Sequence, residues 1–145
     1  MLDTPIREIL HNQELLELPG DRTVADAAKE MIERHVGTAL VRDAGRLAGI
    51  VTERDILERV VAAGLNPSDT DLKSAMTPDP VGIAADQSLL TAVFSMRDQG
   101  TRHLIVREGN RMTGILSISD LLRFLVDDGM NDRRMVETLW DGFPV

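Results

Sequence analysis

The chain contains no cysteine and no tyrosine among its 145 residues. Without cysteine it can form neither a disulfide framework nor a thiolate zinc site, and it has no cysteine nucleophile. Aromatic residues make up 3% of the chain, as three phenylalanines and one tryptophan. We therefore expect an aliphatic core, and a bound base would be held between Val, Ile and Leu side chains because few rings are available for stacking.

Basic residues and long apolar runs are also scarce. The chain has 16 Lys and Arg against 24 Asp and Glu, which gives a formal net charge of −8. This balance argues against nucleic-acid binding, which needs a basic face. No apolar run approaches membrane-spanning length, and the charged first turns (Asp3, Arg7, Glu8) are unlike a signal peptide. We expect a cytoplasmic protein that binds neither nucleic acid nor membrane.

The strongest signal in the sequence is an internal repeat. Residues 23–57 align with residues 88–122 at a constant offset of 65, with nine of 35 positions identical. Chance would give roughly two identities at average composition. The hydrophobic periods and turn residues predict the order β-α-β-β-α in each copy. The chain is therefore predicted to be α/β (α+β), with one repeat in residues 1–65, a second in 66–129 and a tail in 130–145.

Each repeat ends in the same pattern, "GIVTERDIL" at 49–57 and "GILSISDLL" at 114–122. A buried strand is followed by a hydroxyl residue, Thr52 or Ser117, and then by a helix with Asp55 or Asp120 three positions later. A helix N-terminus at a strand end attracts anions through its free N–H groups and its dipole. The hydroxyl can donate to a phosphate and the carboxylate can accept from ribose hydroxyls. The pattern favours a nucleotide site.

The same residues also fit a purely structural role. A Ser or Thr followed three residues later by an acid is a common helix N-cap, and acids are favoured in a first helical turn in any case. Both interpretations of the motif stay open at this point.

The apolar residues of the helices predict what each helix buries. The helix after Thr52 is expected to bury Ile56, Leu57, Val60 and Val61 and to end at Gly64. The last repeat helix is apolar around much of its circumference, and the tail adds apolar residues with no further repeat to pack on. Such surfaces usually mark an interface, so we expect a homodimer. The residues concerned are Leu121, Leu122, Phe124, Leu125, Val126, Met135, Val136, Leu139, Trp140 and Phe143.

From about residue 5 to 126 the chain closely resembles a tandem pair of CBS domains, the module named after cystathionine β-synthase. The resemblance is carried by the two nonapeptides, by "GTRHLIV" at 100–106 and by "AMTPDP" at 75–80. It implies an intramolecular pseudo-two-fold pair of repeats with two clefts between them that bind adenosine-containing ligands. The ligand it implies is AMP, ADP or ATP, with S-adenosylmethionine or NAD as further candidates.

The resemblance also implies roles for particular residues. Asp55 and Asp120 would contact ribose hydroxyls, and Thr52 and Ser117 would contact phosphate. Because the first repeat has Gly37 and Thr38 at the positions of Arg102 and His103, we expect the second site to bind more tightly. Further phosphate contacts would come from Arg102, His103 and Arg54, and the base would be flanked by Leu16, Val81 and Ile118.

These features predict a non-catalytic regulatory module that senses adenosine-containing ligands and transmits binding to an unknown regulated protein. The alternative is a dimeric adaptor that binds no ligand and uses the motifs only as caps. An enzyme is disfavoured, because the three histidines lie far apart in sequence and no HExxH, GxSxG or Walker pattern is present. We predict no catalytic residue, no metal ligand and no required cofactor.

Overall fold

The computed structural model describes residues 2–10 and 13–127. These residues form two compact units. The first unit contains residues 14–80, and the second unit contains residues 2–10, 13 and 81–127. The tail at 130–145, with the apolar residues predicted to support a dimer, lies outside the described residues.

The first unit is a mixed sheet with helices packed on it. Its strands are ordered β1-β2-β3-β4, with β1 and β2 parallel and the other neighbours antiparallel. The core is aliphatic, as the scarcity of aromatic residues predicted. The elements are β1 (Glu17–Pro19), α1 (Val24–Glu33), β2 (Thr38–Asp43), β3 (Arg46–Thr52), α2 (Glu53–Ile56), α3 (Leu72–Ala75) and β4 (Thr77–Pro78).

The second unit repeats this plan with a sheet ordered β5-β6-β7. Again the first pair of strands is parallel and the second is antiparallel. The register agrees at the offset of 65, since Leu40 pairs with Ile50 and Ile105 with Ile115. The predicted β-α-β-β-α order is confirmed in both copies. The elements are a short 3-10 turn (Ile6–Glu8), β5 (Gly82–Ala84), α4 (Leu89–Gln99), β6 (His103–Glu108), β7 (Arg111–Ser117) and α5 (Ile118–Asp127).

Two segments do not stay with the repeat that they adjoin in sequence. The N-terminal segment belongs to the second unit, where Ile6 N donates to Gln87 O at 2.9 Å and Leu89 N donates to Thr4 O at 3.0 Å. Residues 66–80, which we call the linker, belong to the first unit, where Val24 N donates to Thr70 O at 2.9 Å. The compact units therefore divide between residues 13 and 14 and between residues 80 and 81.

The linker is fixed to the first unit through α3. Leu72 is fully buried in the first unit's core. Asp71 caps the helix, and hydrogen bonds from the hydroxyl and amide of Ser74 lower the pKa of Asp71. Lys73 donates to Asp43 at 2.8 Å, a hydrogen bond that raises the pKa of Lys73. Polar and apolar contacts thus hold the linker from both ends of this short helix.

The helix that follows Thr52 buries less than its sequence predicted. Val60 is fully buried, but Leu57 and Val61 are 61% and 62% exposed, so their predicted burial was wrong. Residues 57–61 form a π-helical turn. In α5 the equivalent of Val61, Val126, is 64% exposed although no π turn is present. Each sheet covers one ridge of its helix, and apolar periodicity does not distinguish that ridge from its exposed neighbour.

The hairpin between β2 and β3 places a non-glycine residue in a left-handed conformation. Its central residues Ala44 and Gly45 have φ of 50° and 76°. A two-residue hairpin loop with positive φ at both positions favours Asn-Gly, because Asn tolerates the left-handed region better than Ala does.

Ala44→Asn should therefore stabilise the protein by about 0.5–1 kcal/mol, since it relieves this strain. The matched control is Ala62→Asn at an exposed right-handed position, where φ is −66°. There Asn should destabilise by about 0.5 kcal/mol through its lower helix propensity. Thermal melts would compare the three proteins, and a loss of stability in Ala44→Asn would contradict the expectation.

Candidate functional site

In the first unit, the hydroxyl and the aspartate of the motif form a helix cap. Asp55 Oδ2 accepts hydrogen bonds from Thr52 N at 2.8 Å and from Thr52 Oγ1 at 3.1 Å. The Asp55 amide donates back to Thr52 Oγ1 at 3.2 Å. This reciprocal arrangement is a capping box. The helix cap predicted at Thr52 is therefore confirmed, and it is compatible with either interpretation of the motif.

The second unit reproduces this cap. Asp120 Oδ2 accepts from Ser117 N at 2.8 Å and from Ser117 Oγ at 2.7 Å, and the Asp120 amide donates to Ser117 Oγ at 3.2 Å. Each motif thus folds the corner between a strand and a helix in the same way.

The caps use most of the N–H groups that the sequence suggested for an anion. Thr52 N and Asp55 N donate within the box, and Glu53 N donates to Gly37 O at 3.1 Å. In the second unit, Ile118 N likewise donates to Arg102 O at 3.0 Å. The expectation that free amide groups point into this gap is therefore wrong for Thr52, Glu53 and Asp55.

The predicted cationic residues of the second unit lie at this corner. His103 is the first residue of β6 and pairs with Ser117 across the sheet. Arg102 precedes His103, and the Arg102 carbonyl accepts a hydrogen bond from the amide of Ile118, the first residue of α5. Both residues are half-buried. The structure therefore brings Arg102, His103, Ser117 and Asp120 to one end of the β6–β7 pair.

The other predicted site residues are Arg54 in the first unit and the three base-flanking residues, and most of them are paired or buried. Arg54 forms an ion pair with Glu58 at 2.6 Å and points along the surface of its own helix. Leu16 and Ile118 are buried in the cores of their units, whereas Val81 is half-buried. The carbonyls of Leu16 and Val81 accept from Leu40 N and Ile105 N at 2.8 Å. Of the three base-flanking candidates, Val81 keeps the most accessible side chain.

The two aspartates also differ in the contacts of Oδ1, the carboxylate oxygen that the cap does not use. Asp55 Oδ1 accepts from Thr77 Oγ1 at 3.2 Å, and the Asp55 side chain is 12% exposed. Asp120 Oδ1 has Arg123 at 3.9 Å, and the Asp120 side chain is 25% exposed. The sequence did not reveal Thr77 as a neighbour of Asp55, because 22 positions separate them. The "AMTPDP" stretch was the available signal.

The glycine that opens each motif allows another segment to approach closely. A Cβ at Gly49 would lie 2.6 Å from Thr77 O and 2.5 Å from Met76 Sδ. At Gly114 the nearest atom would be Gln13 Oε1, at 2.8 Å. Gln13 was also missed from the sequence; its amide accepts from Ile115 N at 2.9 Å and donates to Ile115 O at 2.7 Å.

Comparison with known proteins identifies the family to which these repeats belong. The family model for the CBS domain matches residues 3–62 and 71–127. The chain therefore belongs to the CBS domain family and carries two such domains in tandem. The match confirms the resemblance and the predicted fold class.

Curated proteins similar to this chain come from different organisms. The chain is similar to an uncharacterized 17.7 kDa protein of Acidianus ambivalens, with 40% identity over 72% of this chain and 63% of that protein. It is 36% identical to the CBS domain-containing protein CBSCBSPB3 of Arabidopsis thaliana, over 74% of this chain and 19% of that protein. The chain thus matches less than two thirds of the length of either relative.

Solved structures agree with this assignment. A protein with CBS domains from Burkholderia ambifaria superposes with a TM-score of 0.81 at 30% identity, covering 87% of this chain and 96% of that one. An uncharacterized conserved protein from Pyrococcus horikoshii gives a TM-score of 0.78 at 28% identity, with 86% and 93% covered. The match extends over most of the described residues.

Within residues 2–10 and 13–127, no helix combines the length and the apolar character needed to cross a bilayer. Nor do three or more His, Asp or Glu side chains in that part of the chain converge as ligands of one metal ion.

Replacing the two motif glycines by alanine should destabilise the protein by different amounts, because different atoms lie against them. Gly49→Ala should destabilise the protein by about 1–3 kcal/mol, because the new methyl group overlaps a backbone carbonyl that β4 holds in place. Gly114→Ala should cost less, because its neighbours Gln13 and Leu10 are side-chain ends that can move. Urea denaturation would measure both, and an equal or larger loss in Gly114→Ala would contradict this explanation.

Proposed function

We propose that this protein is a non-catalytic regulatory module that binds an adenosine-containing ligand, AMP, ADP or ATP, and transmits binding to a partner. Membership of the CBS domain family supports this proposal. S-adenosylmethionine and NAD share the adenosine group and are further candidates. The location in the cytoplasm and the identity of the regulated partner stay predictions.

The observation that carries the proposal is the corner of the second unit. There Asp120 keeps one carboxylate oxygen outside its cap, with a side chain that is 25% exposed. A carboxylate oxygen of this kind can accept hydrogen bonds from the vicinal hydroxyls of ribose. Arg102 and His103 lie at the same end of the sheet and offer donors to phosphate.

The Ser117 hydroxyl can take part in phosphate binding only by changing its partner. Its single proton is donated to Asp120 Oδ2 at 2.7 Å. A phosphate that accepts this proton would compete with Asp120 for the hydroxyl. The hydrogen bond from Ser117 N to Asp120 Oδ2 would stay in place. We therefore assign the main phosphate contacts to Arg102 and His103, with Ser117 as a secondary donor. Thr52 and Arg54 are the corresponding, weaker candidates in the first unit.

An adenine nucleotide should accordingly raise the melting temperature. Ligand at one hundred times its dissociation constant stabilises the folded protein by about 2.7 kcal/mol. For a chain of this size that corresponds to roughly 5–10 °C, at about 2–4 °C per kcal/mol. The measurement is a thermal-shift panel of AMP, ADP, ATP, NAD and S-adenosylmethionine at millimolar concentration. No shift with any of them would reject the sensor in favour of the adaptor.

Calorimetry on matched variants would locate the site in the same experiment. Asp120→Ala and Asp55→Ala remove equivalent capping bonds, and Asp55→Ala also removes the Thr77 contact, so a thermal melt of each variant is needed beside the binding data. Losing hydrogen bonds to a charged group costs about 1.5–3 kcal/mol, so Asp120→Ala should weaken nucleotide binding roughly ten- to a hundredfold. Asp55→Ala should leave the stronger binding step almost unchanged. A larger loss in Asp55→Ala would reverse the assignment.

The second candidate function is a dimeric adaptor that binds no ligand. The capping boxes favour it, since they give the motif residues a complete structural role. Exposed apolar residues on the helices also favour self-association: Leu57 and Val61 lie one turn apart in the first unit, and Val126 and Phe94 are exposed in the second. A homodimer is compatible with either function.

We propose that the Leu57–Val61 ridge contributes to a homodimer interface. Leu57→Glu combined with Val61→Glu should convert a dimer into a monomer, because it places two like charges on an apolar contact. Sedimentation velocity at tens of micromolar would show the change. Glu58→Lys, at an exposed polar position of the same helix, is the control and should leave the dimer intact. A monomeric wild type, or a dimer that survives the double substitution, would contradict this interface.

A further inference from the structure

Residues of the first unit cover Asp55 Oδ1, the carboxylate oxygen that the cap does not use. Thr77 Oγ1 donates to Asp55 Oδ1 at 3.2 Å. Arg59 Nε lies 3.9 Å from the same oxygen. With the cap on its other oxygen, Asp55 is the buried charged residue of the described chain. Both carboxylate oxygens of Asp55 are thus engaged by the protein itself.

Thr77 reaches Asp55 because several contacts hold its strand. In β4, Thr77 pairs with Ile50 and Pro78 pairs with Gly49. Arg59 Nη1 donates to the carbonyl oxygens of Ala75, at 3.3 Å, and Met76. One guanidinium group therefore lies near the aspartate and also binds the segment that carries Thr77.

The Thr77 contact reproduces the chemistry expected of a nucleoside. The hydroxyl of threonine is a secondary alcohol, as are the 2′ and 3′ hydroxyls of ribose, and each donates one proton to a carboxylate. The Thr77 hydroxyl thus makes the same kind of hydrogen bond to Asp55 Oδ1 that a ribose hydroxyl would make. Asp55 Oδ1 has two lone pairs, and a ribose whose two vicinal hydroxyls both donate to this oxygen would need the lone pair that Thr77 occupies.

The second repeat lacks this closure within the described residues. Asp120 Oδ1 has Arg123 at 3.9 Å, and the Asp120 side chain is about twice as exposed as that of Asp55, at 25% against 12%. The residue one turn after Asp120, equivalent to Arg59, is Phe124. A phenyl ring cannot donate to the carbonyls of a neighbouring segment.

We propose that Thr77 is a latch that closes the Asp55 site, and that the ribose of an adenosine-containing ligand must displace the Thr77 hydroxyl to bind there. This inference rests on the proposed function, because it concerns the same ligand class. Displacement removes one of the contacts that hold β4, in the linker between the repeats. Occupancy of the Asp55 site is thereby coupled to a loosening of residues 75–78.

The test measures AMP binding by calorimetry in an Asp120→Ala background, which leaves Asp55 as the remaining motif aspartate. Thr77→Val keeps the shape of the side chain and removes the hydroxyl. If the latch is worth one net hydrogen bond, the dissociation constant for AMP should fall about three- to tenfold, since the open site is then fully populated. An unchanged or higher dissociation constant would overturn the latch.

Two controls separate the hydroxyl from general loosening of the linker. Thr77→Ser retains a hydroxyl and should keep the affinity of the Asp120→Ala parent. Thr70→Val removes a linker hydroxyl that donates to Asn66 O at 2.8 Å, away from Asp55, and should also leave affinity unchanged. Equal tightening in Thr70→Val would show that loosening the linker suffices, which excludes a specific role for Thr77.

Hydrogen–deuterium exchange provides a readout that needs no nucleotide. In otherwise wild-type protein, Thr77→Val should raise the exchange rate of the peptide that covers β4 severalfold, whereas Thr77→Ser should not. No change in Thr77→Val would overturn the claim that the hydroxyl holds β4. If AMP binds none of the variants, the proposed function and the ligand named here both fail, whereas a rise in exchange would still support Thr77 as the contact that fastens β4.

Discussion

The structure depends on one carboxylate oxygen at each corner between a strand and a helix. This oxygen accepts both the amide and the hydroxyl of the residue that ends the strand. A carboxylate has two oxygens, and the cap occupies one of them. The corner is therefore folded without using the whole acceptor capacity of Asp55 or Asp120. What distinguishes the two corners is the group that meets the remaining oxygen.

Duplication also left the two sheets with different edges. In the first unit, the strand carrying Gly49 is covered by the backbone of β4. In the second unit, the side-chain amide of Gln13 makes the corresponding pair of hydrogen bonds to Ile115. An amide side chain offers the same donor and acceptor as a peptide group, so Gln13 satisfies both backbone groups of Ile115. The strand at the first edge also carries Thr77, whose hydroxyl reaches Asp55. The Gln13 amide at the second edge bonds to Ile115.

Local signals predicted much of the molecule, and long-range contacts account for what they missed. The order of strands and helices and the caps at Thr52 and Ser117 follow from residues within a few positions of each other, and the repeat follows from the alignment at an offset of 65. The exposure of Leu57 and Val61 depends on which helix ridge the sheet covers, and periodicity does not contain that information. The Thr77–Asp55 hydrogen bond spans 22 positions, and the Gln13–Ile115 pair spans 102. No local pattern specifies such partners.

The shared cap does not distinguish the repeats, so differences between them come from the residues around it. The motifs themselves form the same hydrogen bonds within a few tenths of an ångström. The changes lie one step away, where Arg59 is matched by Phe124 and Gly37 by Arg102. The first change provides a donor that holds the linker near Asp55, and the second adds a cation near Ser117. Both changes favour ligand binding at the second corner over the first. One leaves the Asp55 carboxylate covered, and the other adds positive charge near Ser117.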